Sequence, residues 1–259
     1  MKYADFEQVI SPERMRRYLI ACHNDSRKAM TLYRYNLKLS QEMFTIISCF
    51  EVSLRNKIDA EMKNHYGNHW LRDSIMPDGI FDYDNRVEGT KKIITKAYNS
   101  LRHAHKYTHS NLLTEMDFGI WKFMFNNVQY RLSGRCLLNI FPNKPISNIN
   151  AKYNNVYVFN KLDCINEIRN RIAHHEPICF GKYENIDTQY VSRCYDSMAR
   201  LFQWMNINSE SLLYGLDHVK NVLDTIKIIN FFQKRIACKK KLYLCSVKSR
   251  QSLKIQTAG

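Results

Sequence analysis

Hydrophobic residues recur along this chain at steps of three and four, the spacing that gathers side chains onto one face of an α-helix. The clearest stripe runs through Met43, Ile46, Ile47, Phe50, Leu54 and Ile58. A second stripe runs through Val158, Leu162, Ile165, Ile168 and Ile172. No stretch alternates apolar and polar residues convincingly, as a half-buried β-strand would. The pattern therefore predicts an all-α protein built as a helical bundle.

Residues that start and stop helices divide this pattern into predicted elements. Ser11 and Pro12 are typical of a helix start, and Asp25 can cap a second helix. Ser40 is predicted to begin a third helix, which Gly67 ends. Further helices are predicted over residues 87–105, 115–132, 151–176, 187–206 and 209–236.

Length and composition agree with a folded globular protein. The 259 residues are 45% hydrophobic and include only 8 glycines and 5 prolines, which favours long helices over a turn-rich β architecture. We expect a single domain over residues 1–236, with N-terminal helices in 1–70 and a core from about 87 to 236. A basic tail is expected over residues 237–259.

The sequence also indicates where the protein works. No apolar run approaches the roughly 20 residues that cross a bilayer, and the N-terminus lacks the apolar segment of a signal peptide. We therefore expect a cytoplasmic protein that has no membrane partner. The 8 cysteines form no CxxC pair, which argues against a zinc ribbon, and in a reducing compartment we expect them as thiols.

The chain is strongly basic, with a formal net charge of +15. Such an excess attracts polyanions, among which nucleic acid is the commonest, although many basic proteins bind none. Residues 234–254 contain eight lysines and arginines and no acid. This segment is either a phosphate-binding arm or a solvated tail, and composition alone does not decide between them.

The most unusual polar stretch is "EIRNRIAHHEPI", residues 167–178. On a helix Asn170 lies one turn before His174, and Arg171 lies one turn before His175. Arg169 falls on the apolar side, where a guanidinium needs an anion or hydrogen-bond acceptors. The alternative is an ordinary helix C-terminus, where basic side chains are favoured, and spacing alone favours that alternative.

This stretch resembles the signature of the bacterial abortive-infection (Abi) proteins, the AbiD and AbiF-like group. Within it, "RNRIAH" is similar to the R-x4-6-H motif of the HEPN ribonucleases. Two further blocks resemble the same family, namely "LSQEMFTIISCFEVSLRNKI" and "EMDFGIWKFMFNNV" with "IFP" downstream. Together the blocks cover residues 25–185 in the family's order.

The resemblance implies a HEPN-like helical bundle with additional N-terminal helices. It also implies an endoribonuclease that needs no metal or other cofactor and uses the RNA 2′-hydroxyl as nucleophile, leaving a 2′,3′-cyclic phosphate. His174 would transfer protons, Arg169 would stabilise charge on the phosphate, and Asn170 would orient the imidazole. Arg171, His175 and Glu176 are weaker candidates for substrate contact. His175 is equally open to a local structural role, and Glu176 to capping or to pairing with Arg171.

The resemblance further implies partners: an RNA substrate, a second copy of the chain, and an antitoxin that is a structured RNA or a protein. The setting would be phage defence or a toxin–antitoxin system. Two alternatives stay open, a catalytically inactive RNA-binding or sensing module and a structural protein whose helix only dimerises.

Other chemistry in the sequence is weaker. The Arg55–Asn56 step is interpreted as structural, a zinc site at His65 and His69 is disfavoured, and "FGIWKFMF" is interpreted as core lining rather than a base-stacking platform. The histidines of the basic region, expected to touch phosphate or solvent, are His103, His105 and His109.

Overall fold

The computed structural model describes residues 1–181 and 185–230, and most of these residues are helical. The helices are α1 (Tyr3–Ile10), α2 (Pro12–Ala21), α3 (Ser26–Tyr66), α4 (Trp70–Asp73), α5 (Glu88–His103), α6 (His109–Thr114), α7 (Phe118–Phe123), α8 (Asn127–Leu132), α9 (Asn155–Ala173), α10 (Gln189–Trp204), α11 (Ser209–Leu212) and α12 (described over 219–230). Short 3-10 helices occupy Asn85–Val87 and Cys136–Ile140. Apart from one isolated bridge between Phe180 and Ile186, the described part contains no β pairing. The predicted all-α class is confirmed.

The chain forms two compact units. The first unit comprises the described residues 1–42, 177–181, 185–192 and 218–230. The second, here called the motif unit, comprises residues 43–176 and 193–217 and contains the "EIRNRIAHHE" stretch. The expected basic tail at 237–259 lies outside the described residues. Among the helices that are described, none is both long enough and apolar enough for a transmembrane span.

Within the first unit, residues 177–181 are tied to α2 and to the start of α3. The Asn36 side chain accepts backbone N–H bonds from Ile178 at 2.8 Å and from Cys179 at 3.1 Å. The Arg17 guanidinium lies over the Phe180 ring, 4.5 Å from its centroid, and donates to the carbonyl of Gly181. Because Asn36 is only 4% exposed, its side-chain oxygen needs hydrogen-bond partners inside the protein, and these two N–H groups supply them.

Several predicted helix ends are confirmed by their capping contacts. Ser11 accepts the N–H of Arg14, and Asp25 accepts the N–H of Lys28. Gly67 follows α3 with a φ of +83°, a conformation that glycine adopts without a steric cost. The predicted break at Ser40 is wrong, because α3 runs unbroken through 41 residues. Neither glycine nor proline occurs between its ends, so one serine does not interrupt it.

Two segments predicted as single helices are divided in the structure. Residues 115–132 form α7 and α8, because the side chains of Asp117 and Asn126 each accept a backbone N–H and begin a helix of their own. Residues 209–230 are divided between α11 and α12, with Gly215 at a φ of +73° between them. Helix α1 was not predicted from the sequence.

The predicted hydrophobic stripes form the core of the motif unit. Every residue of the stripe from Met43 to Ile58 is at most 1% exposed, and the second stripe is buried except at Ile172. Phe50 packs edge-on against Phe202, with ring centroids 5.2 Å apart. The aromatic cluster is core lining, as predicted, at Phe118, Trp121 and Phe125, whereas Phe123 is 40% exposed.

One covalent feature departs from the expectation of reduced thiols. Cys164 of α9 and Cys194 of α10 form a disulfide, with their Cα atoms 5.9 Å apart. Both cysteines belong to the motif unit, and the disulfide joins residues that are 30 positions apart in the chain. The pairing ties the helix that carries the candidate motif to its neighbour.

Candidate active site

The candidate motif lies at the C-terminal end of α9, which the side chain of Asn154 caps at its start. The backbone closes the other end with two bonds, from the Glu176 N–H to the Arg171 carbonyl at 2.8 Å and from the His175 N–H to the Ile172 carbonyl at 3.0 Å. This is the Schellman arrangement, in which the residue after the cap adopts a left-handed conformation and is usually glycine. Here that residue is His175, with a φ of +56°.

His174 is exposed at this helix end. Its backbone N–H bonds the carbonyl of Asn170 at 2.9 Å, and in the described part of the chain its imidazole makes no hydrogen bond. The Asn170 side chain instead accepts a long hydrogen bond, 3.4 Å, from the Arg169 guanidinium. The imidazole is therefore open to solvent and to a ligand, and an orienting role for Asn170 stays a prediction.

Arg169 is half-buried and lies within electrostatic reach of Glu51 on α3. Burial raises the pKa of the Glu51 carboxyl, the negative charge of Asp117 raises it further, and the cations Arg169 and Arg55 oppose the rise. The Nε atom of Arg55 is buried, and no hydrogen-bond partner for it is found among the described residues. Glu51, Arg55, Asp117 and Arg169 are called the Glu51 cluster below.

The Glu51 cluster joins the three sequence blocks whose resemblance was noted above. Glu51 and Arg55 belong to "EVSLRN", Asp117 precedes "FGIW", and Arg169 begins "RNRIAH". Sequence reasoning did not single out Glu51 or Asp117 as site residues. The available signal was a carboxylate four residues before Arg55 on a helix, a spacing that places both on one face.

Arg171 and Glu176 form an ion pair, with the Arg171 Nε atom 3.8 Å from the Glu176 carboxylate. This is the pairing that the sequence offered as one alternative for Glu176. The Glu176 side chain is 57% exposed and the Arg171 side chain is 21% exposed, and an ion pair that is partly open to solvent contributes little to stability.

The remaining polar candidates lie elsewhere in the motif unit. His103 and His105 are exposed, as expected for the basic region. His109 departs from that expectation, because its side chain is only 10% exposed and its Nε2 atom is 2.7 Å from the Asp59 carboxylate. A cluster of Glu61, His65 and Cys136 has its potential ligand atoms within 4.8 Å of one another. His69 lies apart from it, bonded to the Tyr107 hydroxyl at 3.3 Å.

Comparison with the sequences of known protein families shows the family of this chain. The sequence model of the Abi-like proteins matches residues 4–179, a range that includes every member of the Glu51 cluster and the motif itself. The chain belongs to the Abi-like family. No curated protein and no solved structure matches it. Membership in this family indicates a role in abortive infection. The reaction, if there is one, depends on the side chains of this Abi-like chain.

The chemistry available at the end of α9 is proton transfer beside a fixed positive charge. An imidazole titrates near neutral pH and can take up or release a proton, whereas a guanidinium stays charged and offers paired donors to an anion. His174 supplies the first group, an exposed imidazole that makes no hydrogen bond with any other described residue, and Arg169 supplies the second. Both groups of this Abi-like chain are accessible from solvent.

Proposed function

We propose that this Abi-like protein is a metal-independent endoribonuclease, the cytoplasmic toxin of a phage-defence or toxin–antitoxin system. The observation that supports the proposal is that Arg169 and His174 lie on a well-packed helix and yet make few hydrogen bonds with the described residues around them. Both residues lie at the C-terminal end of a helix packed into the core. Among the described residues, however, the His174 imidazole makes no hydrogen bond and the Arg169 guanidinium makes one long bond, 3.4 Å, to Asn170. Polar groups presented in that way are typical of sites that bind and transform a ligand.

The proposed reaction is an internal transesterification of RNA. A His174 imidazole removes the proton of a ribose 2′-hydroxyl, whose oxygen attacks the adjacent phosphorus and forms a new O2′–P bond. The P–O5′ bond breaks, and the leaving oxygen takes up a proton. The products are a 2′,3′-cyclic phosphate and a 5′-hydroxyl. Arg169 stabilises the negative charge that grows on the phosphate oxygens as the attack proceeds.

A dimer would supply the second proton-transfer group. One imidazole acts as the base and another as the acid, and two copies of α9 placed side by side would bring two His174 and two Arg169 side chains to one cleft. In this arrangement Asn170 orients His174, while Arg171, His175 and Glu176 contact the RNA beyond the reacting phosphate. Sedimentation of the active enzyme tests the arrangement. A fully active monomer at micromolar concentration would contradict it.

Cleavage of labelled RNA in EDTA tests the proposed chemistry. We expect the wild-type protein to cut and to leave cyclic-phosphate ends, and we expect His174→Ala and Arg169→Ala to bind RNA without cutting it. Binding by all three proteins with no cleavage by any would instead identify an RNA-binding or sensing module. Cleavage that requires added magnesium would contradict the proton-transfer mechanism.

Restraint of such an enzyme in a healthy cell requires an antitoxin. The net charge of +15 suits a structured RNA, which would be attracted to the chain over a long range. Purification of the protein from its native operon tests this partner. A discrete RNA that co-purifies with the protein supports an RNA antitoxin, and a stoichiometric acidic protein would replace it.

A further inference from the structure

A second polar pocket lies on the motif unit at the C-terminal end of α3. Its volume is about 440 Å³, which is within the range of small-ligand sites. The buried base contains Asp59 and His109, and the rim carries Asn56, Lys63, Asn68 and His69. None of these residues takes part in the reaction proposed above.

Asp59 organises the base of this pocket. Its carboxylate accepts from the Lys63 ammonium at 2.6 Å, from His109 Nε2 at 2.7 Å and from the Trp70 indole at 2.9 Å. Burial alone raises the pKa of the carboxyl, but these hydrogen bonds outweigh burial and hold the pKa below its ordinary value. Asp59 is therefore ionised at neutral pH, and His109 must carry a hydrogen on Nε2 to bond it.

The opposite nitrogen of the same ring, Nδ1, differs from Nε2 in its surroundings. His109 Nδ1 is buried, and no hydrogen-bond partner for it is found in the part of the chain that the structure describes. A buried polar atom without a hydrogen-bond partner costs free energy. A pocket that contains such an atom is therefore a candidate binding site for a ligand that supplies the missing partner. The Asp59 bond fixes the ring, so the position of Nδ1 is fixed before any ligand arrives.

We infer that this pocket binds one nucleotide of an RNA strand. The amides of Asn56 and Asn68 offer donors and acceptors to a base edge, and the exposed His69 ring offers a flat face for stacking. The Lys63 ammonium uses one N–H on Asp59 and keeps others for a phosphate. Nδ1 of His109 gains its missing partner from the base or the ribose.

The position of the pocket on α3 links it to the candidate active site. Glu51, Arg55, Asp59 and Lys63 follow one another at intervals of four and so form one stripe along the helix. Asp59 lies about 12 Å along the helix axis from Glu51, a separation that one RNA strand spans within a few nucleotides. This inference rests on the proposed function for its choice of RNA, and the pocket itself is a separate site.

Mononucleotide binding tests the inference without using activity. The four ribonucleoside 5′-monophosphates and inorganic phosphate are titrated into the full-length protein, and the indole N–H signal of Trp70, identified with Trp70→Phe, is followed by NMR. We expect at least one nucleotide to shift this signal saturably, and phosphate alone to leave it in place. Of the variants, His109→Phe and the rim variant His69→Ala should each weaken binding at least tenfold, and the exposed control His103→Ala should not.

Three results would overturn the inference: no shift with any nucleotide, an equal shift with phosphate, or unchanged binding by a folded His69→Ala protein. The titration and the cleavage assay on the wild-type protein together separate the two proposals. Nucleotide binding by a wild-type protein that does not cut RNA would overturn the nuclease proposal alone. RNA cleavage without nucleotide binding at this pocket would overturn the present inference alone.

Discussion

The end of α9 and the Asp59 network use similar side chains in opposite ways. Around Asp59, a buried carboxylate receives three hydrogen bonds of 2.9 Å or less, from Lys63, His109 and Trp70. At the end of α9, the one hydrogen bond found for the Arg169 guanidinium within the described residues is 3.4 Å long, and the His174 imidazole has none there. Both regions belong to the motif unit.

The difference separates polar groups that hold the fold together from polar groups that are left for a ligand. A bonded, buried network stabilises one conformation and is costly to break. Accessible groups without partners add little to stability, so their removal affects function and not folding. Substitutions in the two regions should therefore separate loss of activity from loss of stability.

Removal of the His174 imidazole should abolish activity and leave the fold unchanged. We expect His174→Ala to lower the rate of RNA cleavage about 10³-fold, the usual contribution of a proton-transfer group. Because the side chain is exposed and unbonded, the melting temperature should stay within about 1 °C of wild type. Initial rates and thermal unfolding measure the two effects, with His103→Ala as the control. A large loss of stability would mean that the His174 side chain stabilises the fold, as His109 does.

Loss of the Cys164–Cys194 disulfide should affect stability without removing the chemistry. A cross-link between cysteines 30 residues apart contributes about 3–4 kcal/mol by restricting the unfolded chain. We expect the Cys164→Ser, Cys194→Ser double variant to lose about that much in urea unfolding. Cleavage well below the melting temperature should change less than twofold, because backbone bonds at the end of α9 hold the motif.

The matched control for the disulfide variant is Cys49→Ser, which removes a free thiol. Addition of reductant to the wild-type protein should reproduce the effect of the double variant. Equal stability of the wild-type protein with and without reductant would mean that the two cysteines are thiols, as the composition of the sequence predicts.

Asp59→Asn should destabilise the network from its centre. An asparagine can still accept from Trp70 or His109, but its amide group would face the Lys63 ammonium with a donor opposite a donor. We expect a loss of about 2–3 kcal/mol in the free energy of unfolding at neutral pH. Because the Asp59 pKa is lowered in the folded state, the difference should shrink as the pH falls below about 4. The exposed substitution Asp196→Asn serves as the control.

Local pattern predicts most of the fold, whereas the motif is recognised through its resemblance to the Abi proteins. The stripes at Met43–Ile58 and Val158–Ile168 predicted buried helix faces, and Ser11, Asp25 and Gly67 predicted helix ends, because helix periodicity and capping act over a few residues. The predicted break at Ser40 failed for the same reason, since packing along the whole of α3 outweighs the preference of one residue for a helix start.

Contacts between residues distant in sequence were not predictable from the pattern. Asp59 and His109 are 50 residues apart, and Glu51 and Arg169 are 118 positions apart, so no local spacing joins either pair. The left-handed conformation of His175 was also hidden, because a histidine at that position gives no sign that the backbone needs a glycine-like φ. Tertiary packing brings the two distant pairs together, whereas the conformation of His175 belongs to the local closure of the helix end.

The backbone at His175 offers a smaller test of the same separation. His175→Gly should raise the free energy of unfolding by about 0.5–1 kcal/mol, since glycine adopts a φ of +56° without the steric cost of a side chain. If the imidazole contacts RNA as proposed, KM should rise severalfold while kcat is retained. His175→Ala keeps the strain and removes the imidazole. Unchanged KM in both variants would assign His175 to the helix end alone.

Substitution of Glu51 should have the smallest effect on the free energy of unfolding. It tests whether the Glu51 cluster stabilises the fold or is left for a ligand. Burial raises the pKa of Glu51 in the folded protein. The folded state therefore binds more protons than the unfolded state above the ordinary carboxyl pKa, and this group's contribution to stability falls as the pH rises through its folded pKa.

We expect Glu51→Gln to match wild type near pH 4 and to become the more stable protein towards pH 7. Urea unfolding at several pH values measures the difference, with the exposed Glu115→Gln as control. A variant that is less stable at pH 7 would mean that attraction to Arg169 and Arg55 exceeds the cost of burial, and the cluster would then join the Asp59 network as a structural element.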